Sequence, residues 1–362
     1  MPVYSARKLL KIGQYFSIWQ GISTYSTQKR HFISNPQIFF NMPSSSSADL
    51  VIRYMGETDL PGVIQLQKES LGEGLIPRNE AFWKWKHEQN PFGKSPVLCA
   101  IDEGKIVALR AFMPWIWKLG DRVYHALRAV DTATHPDYQG KGLFKKLTLR
   151  LIDEMQAQNK DFIFNTPNEK SMPGYLKMGW QKVGKIPLRV GLGAWSGLTR
   201  NTLAYTPPPF DSIAEANEIL LDQWMARQAP PSYIYTPKNA QFLKWRYQNI
   251  PGISYFGYFS EAEGGLLMVG RIKLTLGWRE LRIVELYGSS SVLFNKVLNA
   301  WIDHFRPAFV STPAKTAGGL QNKIGFGMQI GPILTLRKLN HLPEGSEKIG
   351  SWGGSLGDFE LF

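Results

Sequence analysis

Cysteine is nearly absent from this chain. A single one, Cys99, stands among 362 residues, so no disulfide can form within the chain and a disulfide-stapled secreted scaffold is excluded. Cys99 lies inside the apolar run Val97-Leu98-Cys99-Ala100-Ile101, where a core role is expected rather than a nucleophilic one. Such usage fits a reducing compartment, and the expected location is cytoplasmic. The six histidines are dispersed, with no His/Cys metal spacing, so no metal is expected. No Gly-x-x-x-x-Gly-Lys-Ser/Thr phosphate loop is present. No apolar run reaches the ~18 residues of a membrane span.

Acidic residues are missing from one end. Residues 1–48 contain no Asp or Glu, yet carry Arg7, Lys8, Lys11, Lys29 and Arg30 and close on Ser44-Ser45-Ser46-Ser47. Three origins stay open for this basic extension: a transit peptide, which has this composition, a disordered or partner-binding arm, or a start set upstream of the real one at Met42 or Met55. The last is favoured, because a domain-like pattern begins at Leu50. The clean apolar block and small-residue cleavage site of a secretory signal are lacking.

What remains is ordinary globular composition, with 43% hydrophobic and 20% charged residues and length enough for two domains. The net charge of +13 is spread along the chain. Dispersed positive charge argues against a dedicated nucleic-acid surface and suits an anionic, phosphate-bearing ligand equally well.

Periodicity predicts strands at 50–54, 96–101, 106–113, 127–134 and 162–165, with helices at 58–71, 82–88, 143–158 and 172–178. Trp115 and Trp117 are expected in the core. Strands alternating with helices predict an α/β (α+β) domain with a mixed sheet over 49–195. Residues 196–232 read as a linker, with Pro207-Pro208-Pro209 and Pro230-Pro231 bracketing a helix at 213–225. The pattern then restarts over 233–340, followed by a tail at 341–362. Phe82-x-x-Trp85-Lys86 returns as Phe242-x-x-Trp245-Arg246, and Leu127-Arg128-x-Val130-Asp131 as Leu281-Arg282-x-Val284-Glu285. Leu143-Phe144-x-Lys146 returns as Leu293-Phe294-x-Lys296, and Thr166-Pro167 as Thr312-Pro313. So many matches in one order are an internal repeat.

The copies differ where chemistry would sit. Gln139-Gly140-Lys141-Gly142 gives way to Ser289-Ser290-Ser291-Val292, Asn168 to Ala314 and Tyr175 to Gln321. The first of these stretches reads as strand end, tight glycine turn and helix start. Free amides and the helix dipole at such a place attract a pyrophosphate, and glycines let it approach closely. The repeat therefore predicts one active half and one degenerate half.

The strand, this turn and Asn168-x-x-x-x-x-x-Tyr175-x-Lys177-x-Gly179-Trp180 together resemble the GNAT acetyltransferase superfamily. The motif part covers about residues 127–185 and the fold-level part about 50–190. Phe144 departs from the family pattern, which has a small residue there. The resemblance implies two GNAT-like domains in tandem, each a mixed, twisted sheet flanked by helices. It implies acetyl-CoA as co-substrate, with the pantetheine arm on Thr132, Ala133 and Thr134, and the pyrophosphate on Gln139, Gly140, Lys141, Gly142, Leu143, Phe144 and Lys145, with Asn168 nearby. It implies direct acyl transfer to an unidentified amine or hydroxyl. Tyr175 matches the position that protonates the leaving thiolate. Asp131, on the strand beside the thioester, is a candidate base, though the retained Glu285 points to a structural partner instead; His135 is a weaker one. The alternatives are a non-catalytic CoA- or partner-binding protein and a tandem aminoacyl or long-chain acyl transferase. Partners beyond acetyl-CoA and the acceptor, and the oligomeric state, stay open.

Overall fold

The computed structural model describes residues 50–72, 77–193, 206–211, 213, 218–228, 232–275, 277–315, 320 and 324–359. The basic extension at 1–48, and most of the loop before Arg78, fall outside them.

The first half runs β1 (Val51–Tyr54), α1 (Leu60–Leu71), α2 (Glu80–His87), β2 (Val97–Asp102), β3 (Lys105–Leu119) and β4 (Arg122–Thr134). It continues with α3 (Leu143–Ala157), β5 (Phe162–Asn165), α4 (Met172–Lys177), β6 (Gln181–Lys185) and β7 (Leu188–Leu192). The second half runs α5 (Glu218–Ala226), α6 (Ala240–Leu243), β8 (Phe256–Ser260), β9 (Leu266–Thr275), β10 (Trp278–Gly288) and α7 (Ser291–Phe305). β11 (Phe309–Pro313), β12 (Phe326–Met328), β13 (Ile333–Lys338) and α8 (Leu356–Phe359) complete it.

These strands form two mixed sheets, ordered β1-β2-β3-β4-β5-β13-β6 and β12-β7-β11-β10-β9-β8. The sheets exchange strands across the expected division. β13, from the second half, pairs between β5 and β6 of the first sheet. β7, from the first half, pairs between β11 and β12 of the second. Strand β3 also runs past its expected end at Met113. Pro114 ordinarily marks a strand end because it cannot donate to a ladder, yet here it pairs opposite Leu127 and its carbonyl accepts from Asn90 Nδ2 at 2.9 Å. Up to Met113 the strand is buried continuously from Ile106; beyond Pro114 buried and half-buried residues alternate, with Trp115 and Trp117 both fully buried.

Helices α3 and α4 cover the outer face of the first sheet, and α7 covers that of the second. The inner faces share one core that also takes in α1, α2 and α6. Segments set apart as linker and tail contribute to it: Leu221 and Trp224 of α5, and Trp352, Leu356 and Phe359 near the C-terminal end, are all buried there. At its centre the repeat meets itself. Trp85 Nε1 donates to the Trp245 carbonyl at 2.5 Å, Trp245 Nε1 donates to the Trp85 carbonyl at 2.8 Å, and the rings stack 5.3 Å apart. Trp85 lies on α2 and Trp245 on the helical turn Lys244–Gln248 that continues α6, and the two helices begin alike, with Asn79 and Asn239 accepting from the backbone N–H groups of Phe82 and Phe242. Reciprocal bonds between equivalent residues are what a pseudo-twofold relation produces. Trp85→Phe removes one donor and leaves a buried carbonyl short of a partner, so it is expected to cost about 1–3 kcal/mol in urea unfolding.

Candidate active site

Strand β4 pairs in parallel with β5 at Leu127 and Arg128, opposite Ile163 and Phe164. Beyond that the two strands part. Thr132, Ala133 and Thr134 keep their partners on β3, and among the described residues no strand pairs with them on the β5 side. The parting coincides with a bulge: Val130 pairs with Ala111 and Thr132 with Arg110, leaving Asp131 unpaired in the ladder at φ +40°. An extra residue of this kind bends and twists its strand.

After β4 comes the glycine turn. Gly140 and Gly142 both have φ +78°, and a Cβ on either would meet nothing within 4 Å. This is backbone only glycine adopts freely, facing open space. Gly142 caps α3 without any side-chain bond. Among the described residues, no backbone N–H from Gly140 to Lys145 has a hydrogen-bond partner. That run of free donors at the positive end of a long helix fits a pyrophosphate. Gln139 reaches back to the Thr134 carbonyl at 3.2 Å and ties the turn to the strand. The side chain of Leu143 is buried, so this residue can offer a ligand backbone alone. Lys145 is exposed, and the Lys141 ammonium lies 4.2 Å from the Tyr138 ring centre.

The second sheet builds the same corner and closes it. Ser290 caps α7 with its own hydroxyl, which accepts from Leu293 N at 3.2 Å. One of the equivalent amides, that of Leu293, is thereby answered by the chain itself. Beside β10 a cavity of about 300 Å³ is lined by Tyr233, Lys238, Glu285, Tyr287 and Lys315. Its acid is already engaged: Lys238 Nζ pairs with Glu285 at 2.7 Å and with Asp358 at 3.0 Å, and Tyr247 and Ser355 donate to Glu285 as well.

Phe144 packs between α3 and α4. Its ring is 5.5 Å from that of Tyr175, and it passes so close to Gly174 that a Cβ there would lie 2.8 Å from the ring. The ring therefore faces the neighbouring helix, as a core residue does. Tyr175 is buried on α4, and its oxygen accepts from Arg110 Nη1 at 2.8 Å. The proton of the phenol is thus free to be donated elsewhere.

Asp131 is engaged by two residues of α2. Its carboxylate accepts from Lys86 Nζ at 2.6 Å and contacts His87 Nε2 at 2.7 Å. Burial alone would raise its pKa, but the Lys86 ammonium and the His87 ring overcome this and hold it well below the usual carboxylate range. Burial lowers the pKa of His87 in turn, against the pull of Asp131. A carboxylate so stabilised in its charged form is a weak proton acceptor, and Asp131 stands here as the ion-pair partner of Lys86. Glu285 holds the equivalent place, and Tyr247 stands there where His87 does here. Asn168 is likewise local in its bonding: its Oδ1 accepts from the backbone N–H and the hydroxyl of Ser171, both at 2.9 Å, which orders the entry to α4. His135 lies 3.0 Å from Lys105 Nζ and 3.4 Å from Glu69, on the exposed side of the turn. Burial pushes the Cys99 thiol up to about 12, as a core cysteine requires.

Sequence reading missed Arg110, Lys86 and His87. Lys86 had been visible inside the repeated Phe-x-x-Trp-Lys/Arg pattern. Arg110 carried a signal too, being a lone charge in the apolar run Ile106–Met113. Among the described residues no group of His, Cys, Asp or Glu could hold a metal ion, and no helix is long and apolar enough to cross a membrane.

Comparison with known proteins places these features in company. Residues 51–183 match the family model described as an acetyltransferase (GNAT) domain. The chain is 31% identical over 109 residues to the L-amino acid N-acyltransferase MnaT of Escherichia coli, an overlap of 29% of this chain and 61% of that protein. Among solved structures, a probable N-acyltransferase from Enterococcus faecalis aligns with a TM-score of 0.60 at 12% identity, over 81% of this chain and 73% of the other. A GCN5-related N-acetyltransferase from Anabaena variabilis aligns with a TM-score of 0.55 at 14% identity, over 80% and 73%. Identities this low show the fold, and the alignments extend through both sheets.

Proposed function

We propose, from the match of residues 51–183 to a GNAT acetyltransferase domain, that the chain transfers an acyl group, acetyl foremost, from acyl-CoA directly to an amine, using the first sheet alone. The observation that carries this reading is the contrast between two equivalent helix starts: free amides at Gly140–Lys145 and a serine-capped start at Ser290. Gly140 to Lys145 would hold the pyrophosphate, and the β5-side edge of Thr132 to Thr134 would pair with the pantetheine arm. Bound acetyl-CoA supplies an activated thioester. Tyr175 then serves as proton donor at the sulfur, a role generally worth about 10²–10⁴-fold. The name of the Escherichia coli relative makes L-amino acids the first acceptors to try, through their α-amines. A reducing, cytoplasmic setting is supported by the single buried cysteine.

Titration with acetyl-CoA tests this. The protein is expected to bind it, and Gly142→Glu to weaken binding about tenfold or more. A left-handed conformation costs an L-residue about 1–2 kcal/mol, and the new carboxylate would face a phosphate. Absence of binding at high micromolar concentration, or a variant equal to the parent, would sink the reading. The engaged state of Asp131 favours one second reading, a CoA-binding protein without turnover. Binding without thiol release across a panel of amines, amino sugars and peptides would establish it.

A further inference from the structure

Arg110 is fully buried on β3, on the sheet face that α3 and α4 cover. Among the described residues no carboxylate pairs with it. Its Nη1 donates to Thr132 Oγ1 and, at 2.8 Å, to the Tyr175 oxygen. Nε and Nη2 have no hydrogen-bond partner among the described residues. The rings of Phe112, Tyr175 and Phe144 surround the guanidinium, their centres 4.7, 5.3 and 5.8 Å away.

A buried cation without a counter-charge is costly, and an apolar side chain would serve the fold better. The second sheet shows that alternative. The pair Arg110–Thr132 on β3 and β4 corresponds to Met268–Leu286 on β9 and β10. Tyr175 corresponds in sequence to Gln321, which lies outside the described residues. The arginine, threonine and tyrosine thus occur together in the half that keeps the free glycine turn. The half that caps its turn has lost all three.

We propose that Arg110 is a positioning residue for Tyr175 in acyl transfer, an inference that rests on the function proposed above. Arginine can only donate. By donating into the phenol oxygen it fixes that oxygen and directs the phenol hydrogen toward the gap between the parted strands. In the step it serves, the acceptor nitrogen bonds to the acyl carbon and the carbon–sulfur bond breaks. Sulfur keeps the electron pair and takes the Tyr175 proton. The phenolate is left beside the Arg110 charge, in surroundings where such a charge acts strongly. The nitrogen loses its surplus proton to water, and water returns one to Tyr175.

The test uses the full chain, acetyl-CoA and whichever L-amino acid supports thiol release by the parent protein. Arg110→Met, which installs the residue of the second half, is expected to lower kcat about 100-fold with acetyl-CoA affinity within about threefold. Its melting temperature should not fall, since an uncompensated buried charge is removed. Arg110→Lys should recover activity to within about tenfold of the parent, because a donor and a charge return. In a Tyr175→Phe background, Arg110→Met should cost no more than about threefold further, since residues acting as a unit are not additive. A full multiplicative loss in that background, or a kcat for Arg110→Met near the parent value, overturns the inference and leaves the proposed function standing. A parent protein that neither binds acetyl-CoA nor releases thiol overturns both.

Discussion

Tyr175→Phe is expected to lower kcat by about 10²–10⁴-fold, the usual weight of a placed proton donor, with acetyl-CoA binding unchanged. The ring stays where it is, because its packing is apolar: Phe144 and Trp180 meet it edge-on at 5.5 and 5.0 Å. What disappears is one oxygen, held 2.8 Å from Arg110 Nη1. Fold stability should fall by only about 0.5–1.5 kcal/mol, the net worth of an ordinary hydrogen bond. Steady-state thiol release and urea unfolding separate the two effects. A kcat close to the parent value would remove Tyr175 from the chemistry.

Asp131→Asn is expected to act mainly on stability, by about 3–5 kcal/mol, because it leaves the largely buried Lys86 ammonium without its counter-charge. The pH dependence carries the same signature. The Asp131 pKa is lowered in the folded state, against burial, by Lys86 and His87. The folded state therefore binds its proton less readily than the unfolded chain does. The stability this supplies is fully present above the unfolded value of about 3.9 and is lost as pH falls through the lower folded value. Asp131→Asn should flatten that acid limb in unfolding measured from pH 7 downward. Were Asp131 instead a catalytic base, the variant would keep its stability and lose turnover, with the loss of an acidic limb in the kcat profile.

Much of this was legible in the chain. The glycine turn announced itself because Gly140 and Gly142 are needed where φ is positive, and residue type records that directly. The repeat exposed Trp85 and Trp245 as equivalent, since both matches and order survive in sequence. Cys99, Trp115 and Trp117 were readable as core from the runs around them. Other features left no local trace. Pro114 hid the long β3–β4 hairpin, because a missing donor matters only relative to a partner strand the sequence does not name. The division of the chain hid the exchange of β7 and β13, since strand pairing is a matter of which edges are open.

The sequence by itself determined the class of fold, the presence of two related halves and the half that keeps the glycine turn. Those properties follow from residue types and their spacing, which act locally. The tertiary structure decided what the charged and polar side chains do. Asp131 became an ion-pair partner because α2 brings Lys86 and His87 onto its bulge. Arg110 became notable because burial beside Tyr175, without a carboxylate, makes its charge expensive. Charge is decided by what surrounds it, and surroundings are assembled only when the two sheets close on each other.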